Sequence, residues 1–80
     1  MKAYVYITLK NGVLDPQGKA TAGALHHLGF DQVQEVRQGK YIEVTLGESD
    51  PSQAQAAVDA MCKQLLANEV IENYRITLEN

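Results

Sequence analysis

Two Asp-Pro dipeptides fix where the helices of this chain begin. In Asp15-Pro16 and Asp50-Pro51, the aspartate can cap free helix amides, and the proline occupies the first helical position, where its missing N–H costs nothing. Small apolar residues then recur at helical spacing, up to Gly29 in the first case and to about Asn68 in the second. The sequence therefore predicts two amphipathic helices.

Alternating polar and apolar residues predict strands around these helices. Residues 2–10 and 74–79 alternate between apolar and polar, and residues 33–37 and 40–46 are typical of a hairpin around Gln38-Gly39, with a bulge in its first arm. The order strand, helix, strand, strand, helix, strand predicts an α+β two-layer sandwich. Its four-stranded antiparallel sheet would carry two helices on one face, in a ferredoxin-like or strand-exchanged arrangement.

The open face of this sheet is predicted to bind a second copy of the chain. An 80-residue domain with one cysteine and no Cys/His cluster has neither a disulfide nor a structural metal to stabilise its small core. Tyrosine is enriched at protein interfaces because its ring is apolar and its hydroxyl can still hydrogen-bond. We therefore expect a dimer or tetramer that buries the open face, whose candidate residues are Tyr4, Tyr6 and Tyr41.

Composition excludes several classes of protein. The net charge of −3 argues against a nucleic-acid surface, although the element order is also that of RNA-recognition domains. No apolar run approaches the roughly 20 residues that span a bilayer, and the first ten residues are not a signal-peptide core. The expectation is a single soluble, cytoplasmic domain over residues 1–80 that binds neither nucleic acid nor membrane.

No residues assemble a predicted active site, cofactor site or metal site. His26 and His27 are adjacent in a helix and point in different directions, and Cys62 lies on an apolar stripe. The loop over residues 11–18 resembles the anion-binding loop of acylphosphatases, which carries an arginine. Here the loop has no arginine, and Asp15 would repel an anion. A small ferredoxin-like enzyme or ligand-binding regulatory domain, acylphosphatase-like or an amino-acid sensor, remains the alternative.

Four segments resemble the PurS family of phosphoribosylformylglycinamidine synthase subunits. They are residues 5–18, 28–30, 36–40 and 62–74, in the family's order and across nearly the whole chain. The chain departs from the family where it has Glu69 in place of a frequent proline and Asn73 in place of a frequent aspartate. Both departures lie in the predicted turn after the second helix.

The resemblance implies a non-catalytic accessory subunit in de novo purine biosynthesis. Such a subunit bridges a glutaminase subunit and a large synthetase subunit and aids ammonia transfer between them. The whole enzyme converts formylglycinamide ribonucleotide to its amidine, and ATP and magnesium are used by the synthetase subunit. Two turns with family-like residues are the candidates for docking to these partners, namely Asn11, Gly12, Leu14 and Asp15 in one and Arg37, Gly39 and Lys40 in the other.

Overall fold

The computed structural model describes residues 1–80 and confirms the α+β class. One antiparallel sheet has the strand order β2-β1-β3, so the first strand of the chain is its centre. The second helix continues into a short π-helical segment before the last strand. The elements are β1 (Lys2–Leu9), α1 (Pro16–His27), β2 (Gly39–Thr45), α2 (Pro51–Met61), the π-helical segment (Cys62–Leu66) and β3 (Glu72–Glu79).

The sheet has three strands, so the prediction of four is wrong. The expected first hairpin arm, residues 33–37, forms no strand. Its apolar residues are three apart instead of two, so no single face of a strand could bury them. The segment is held beside α1 instead, where the His26 ring nitrogen Nε2 donates to the carbonyl of Val33 at 2.6 Å. The amide of Gln38 donates to the carboxylate of Asp15 at 2.8 Å.

Only α2 covers the sheet, so the prediction of two helices on one face is also wrong. Val58 of α2 and Cys62 are fully buried in one cluster with alternate residues of β1, namely Ala3, Val5 and Ile7. In α1 only Gly18 is buried, and Leu28 just beyond its end is 71% exposed. The stripe of α1 is largely alanine and offers little apolar area to draw the helix onto the sheet.

The molecule is elongated because α1 and the segment after it lie off the sheet. The radius of gyration is 15.9 Å, whereas a compact domain of this length has about 12 Å. Its extents are 48 × 26 × 14 Å. An isolated chain of this shape leaves an unusual amount of apolar surface in water.

Both helix starts follow the predicted chemistry. The Asp15 carboxylate accepts a hydrogen bond from the Gly18 amide at 2.9 Å, and Asp50 accepts one from the Ser52 amide at 2.9 Å. Gly29 takes a φ of 99° just past α1, where a residue with a Cβ would be strained. The Asp-Pro dipeptides thus position the loop between β1 and α1, which carries one set of candidate residues.

Candidate interaction surfaces

The predicted tyrosines form one aromatic cluster on the sheet face opposite α2. Tyr4 and Tyr6 alternate along β1, and Tyr41 on β2 lies directly opposite Tyr6. The rings of Tyr4 and Tyr41 stack with centroids 6.1 Å apart, and those of Tyr6 and Tyr41 are 5.3 Å apart. Because Tyr6 is 36% exposed and Tyr41 is 53% exposed, this tyrosine face is open to a partner.

Charged side chains from the neighbouring strand complete the tyrosine face. The guanidinium of Arg75 lies 4.5 Å from the centroid of the Tyr6 ring. The Tyr4 hydroxyl donates to Glu79 at 3.0 Å, and this hydrogen bond is the main reason that the pKa of Tyr4 is raised to about 12. The face therefore combines apolar aromatic rings with the polar groups that contact them, as is typical of protein interfaces.

The two predicted docking turns are joined into a single surface by hydrogen bonds. Arg37 donates through Nη1 to the side-chain oxygen of Asn11 at 3.0 Å and through Nη2 to the carbonyl of Leu9. Asp15 accepts from the amides of Gln38 and Gly18, and these two bonds hold the pKa of its carboxyl below the usual range. We call this set, Asn11, Gly12, Leu14, Asp15, Arg37, Gly39 and Lys40, the turn surface.

Several members of the turn surface also serve the fold. Lys40 pairs with Glu72 of β3 at 3.5 Å. A Cβ on Gly39 would collide with the carbonyl of Ile7, so this glycine is needed for strand pairing. Leu14 is 64% exposed. Leu14 is therefore the apolar residue of this surface that is most available to a partner.

A crevice within the turn surface is also lined by two lysines that are not among the predicted docking residues. It has a volume of about 450 Å³ and lies between the β1–α1 loop and residues 34–37. Lys10 and Lys19 line it together with Arg37. Arg37 is far from the two lysines along the chain, and no local pattern in the sequence indicates their proximity.

The remaining reactive side chains form no cluster. Cys62 is fully buried, and this burial raises the pKa of its thiol. No group of three His, Cys, Asp or Glu residues lies close enough to hold a metal ion. The helices are also too short and too polar to cross a bilayer.

Comparison with known proteins places the chain in one family over nearly its full length. The family model described as "PurS: Phosphoribosylformylglycinamidine (FGAM) synthase" matches residues 2–80. The Bacillus subtilis phosphoribosylformylglycinamidine synthase subunit PurS is 50% identical over 78 residues, covering 98% of this chain and 92% of the relative. The Synechocystis subunit PurS is 54% identical over 70 residues, covering 88% and 70%.

Solved structures give the same family and the same fold. Methanocaldococcus jannaschii PurS, a subunit of formylglycinamide ribonucleotide amidotransferase, superimposes with a TM-score of 0.88 at 45% identity over 98% of this chain and 94% of that one. A chain of the Thermotoga maritima PurLQS structure superimposes with a TM-score of 0.87 at 26% identity, over 95% of this chain and 93% of that one. The chain belongs to the PurS family and is an accessory subunit of phosphoribosylformylglycinamidine synthase in purine biosynthesis.

Proposed function

We propose that this chain bridges the glutaminase and synthetase subunits of the enzyme and aids ammonia transfer between them. The observation that carries the proposal is its full-length similarity to a chain of the Thermotoga maritima PurLQS structure. The chain itself binds no cofactor for the reaction in this proposal, and ATP and magnesium act on the synthetase subunit. The complex works in the cytoplasm.

Self-association through the tyrosine face is the first part of this role. The open rings of Tyr6 and Tyr41 and the exposed helix α1 support it, because both leave apolar area in water that a second copy would bury. Glu79 accepts the Tyr4 hydroxyl and the Arg75 guanidinium lies over the Tyr6 ring, so both charged groups keep a partner within the chain when the face is buried. A dimer or tetramer then presents more than one turn surface to its partners.

Replacing Tyr4 and Tyr6 by glutamate tests the self-association. Two carboxylates beside Glu43 and Glu79 place like charges on the face, and we expect the oligomer to dissociate at micromolar concentration. Sedimentation velocity of the wild type and of Tyr4→Glu plus Tyr6→Glu is the measurement. Gln53→Glu plus Gln55→Glu, at two exposed positions of α2 on the other side of the sheet, is the control that should remain associated. A monomeric wild type, or a double variant with unchanged mass, contradicts this part.

Docking through the turn surface is the second part. Leu14 is exposed, while Arg37 and Asp15 hold the surrounding backbone in a fixed shape. A fixed apolar residue with a polar rim is the usual anatomy of a docking site. Arg37 and Lys40 add positive charge to this rim, which would favour an acidic surface on the partner.

Leu14→Asp tests the docking without disturbing the fold. Burying a carboxylate in an apolar contact should weaken capture of the synthetase and glutaminase subunits by about tenfold or more. Leu65→Asp is the matched control, because Leu65 is 83% exposed, lies on the π-helical segment and is not part of the turn surface. Equal capture by the two variants and the wild type, measured by co-purification of the three subunits, would remove the turn surface from the proposal.

A further inference from the structure

The basic residues of this chain are distributed unevenly between paired and unpaired positions. The chain has seven lysines and arginines. Three lysines pair with carboxylates, Lys2 with Glu43, Lys40 with Glu72 and Lys63 with Asp59. Arg75 lies over the Tyr6 ring. The three that remain, Lys10, Lys19 and Arg37, all line the same crevice of about 450 Å³.

The guanidinium of Arg37 is held in position at the edge of this crevice. It donates to Asn11 and to the carbonyl of Leu9, which uses two of its five N–H groups. The other donors remain available, and an arginine that is already fixed loses little conformational entropy when it binds a ligand. The absence of an arginine from the loop is one of the two sequence arguments against an anion there, and folding supplies an arginine from a distant segment.

Acidic residues at the crevice do not cancel this charge. Asp15 and Glu35 line it together with the three cations. The two oxygens of Asp15 accept hydrogen bonds from the Gly18 and Gln38 amides, so they are turned toward the backbone. Glu35 is exposed and forms no ion pair with any of the three cations. The lining therefore carries an excess of positive charge in a protein whose net charge is −3.

We propose that this crevice binds the phosphate group of a small phosphorylated molecule. The guanidinium of Arg37 is fixed, and the ammonium groups of Lys10 and Lys19 are on flexible side chains. Together they suit a phosphate group, which is a dianion with three acceptor oxygens. The volume lies within the range of small-molecule sites. The acidic overall charge, without a basic stripe, favours a small molecule over a nucleic acid. This site goes beyond the bridging role, which gives the chain no ligand of its own.

Titration of the isotopically labelled chain with inorganic phosphate tests the site directly. Ionic strength is held constant by exchanging sodium chloride for sodium phosphate, so that general screening does not change. We expect saturable shifts, with a dissociation constant in the millimolar range. The shifts should be confined to backbone amides around the crevice, such as Gly12, Val13 and Arg37.

Paired lysine variants separate a site from general electrostatic attraction. Lys10→Gln plus Lys19→Gln should weaken phosphate binding by about tenfold, the effect of losing two charge contacts near solvent. Lys2→Gln plus Lys63→Gln removes the same charge from lysines that pair with carboxylates elsewhere, and it should stay within about twofold of the wild type. The dispersion of the amide spectrum reports that each variant is folded. Arg37 is left unchanged because it also holds the loop.

Two outcomes would overturn the proposal. One is a titration without saturation, or with shifts scattered over the surface. The other is an equal loss of affinity in the two lysine pairs. A parallel titration with ribose 5-phosphate distinguishes the sources of the phosphate group. Tighter binding than inorganic phosphate supports a site for a phosphorylated metabolite, whereas equal affinity supports a site for free phosphate. Because the measurement uses the isolated chain, failure here leaves the bridging role untouched.

Discussion

Tyr74 connects the last strand to the second helix through one short hydrogen bond. Its hydroxyl donates to the carboxylate of Asp59 at 2.5 Å, and Lys63 pairs with the same carboxylate at 3.2 Å. The bond from Tyr74 and then that from Lys63 hold the pKa of Asp59 below its usual value of 3.8. The hydrogen bond to Asp59 is also the main reason that the pKa of Tyr74 is raised to about 12.

Removing the Tyr74 hydroxyl should therefore have a pH-dependent effect on stability. The depressed pKa of Asp59 stabilises the fold above pH 3.8, and this contribution is lost as the pH falls through the lower pKa of the folded state. Tyr74→Phe should lower the melting temperature by a few degrees at pH 7, and the difference from the wild type should shrink in acid. The tyrosine hydroxyls that hydrogen-bond within the chain are those of Tyr4 and Tyr74, so Tyr41→Phe is the control. A deficit that is equal at pH 7 and in acid would show that the charge of Asp59 contributes nothing.

Residue-scale interactions were predictable from the sequence only where they are local or follow strand alternation. The Asp15 and Asp50 caps lie within three residues of the amides they bind, and the tyrosine face follows from period two on β1. The bond between Arg37 and Asn11 spans 26 positions and depends on the path of the segment between them. No propensity or spacing rule specifies such a pair.

At the scale of elements, α1 shows how a correct helix can be wrongly placed. Its cap, its proline and its glycine stop are local signals, and each was read correctly. The position of α1 depends on the element against which it packs, and its small apolar stripe does not determine which element this is. The helix instead approaches residues 33–38, where a Cβ on Gly18 would collide with the carbonyl of Val36 and the carboxylate of Asp15. Gly18 therefore packs closely against this segment and not against the sheet.

Two glycines of α1 should respond oppositely to alanine. Gly23→Ala places its methyl group where nothing lies within 4 Å, and it should stabilise the protein by about 0.4–1 kcal/mol through helix propensity. Gly18→Ala meets backbone and a capping carboxylate, and it should cost more than about 1 kcal/mol despite the same propensity gain. Urea unfolding of the two variants is the measurement. If both alanines stabilise the chain, α1 does not lie against residues 33–38 as described.

At the scale of the whole molecule, the sequence predicts the α+β class and a surface that needs a partner, but it does not predict the elongated shape of the molecule. Strand patterns and capped helices in one chain predict a fold that mixes the two, and the antiparallel pairing of its strands makes it α+β. Whether residues 33–37 join the sheet depends on their ability to bury one face, and their broken alternation decides against it. With only β1, β2 and β3 paired and only α2 over them, the core is small and a large apolar surface stays open.

The presence of two open surfaces suits a bridging subunit. The tyrosine face is proposed to bind copies of the chain, and the turn surface lies beyond the C-terminal end of β1, at the β1–α1 loop. A subunit that joins others raises the effective concentration of one active site near another, and it needs no chemistry of its own to do so. Its contribution should appear in glutamine-dependent synthesis, which couples the two active sites. It should be much smaller when the activity of the glutaminase or the synthetase is measured separately.

The most direct test compares glutamine with ammonium as the nitrogen source in the reconstituted enzyme, with and without this chain. We expect omission of the chain to lower glutamine-dependent amidine synthesis by about tenfold or more, because ammonia released at one site must then reach the other without a bridge. Synthesis from added ammonium should fall much less, and the chain alone should hydrolyse neither glutamine nor ATP. Glutamine-dependent synthesis that proceeds at the same rate without the chain would contradict the account.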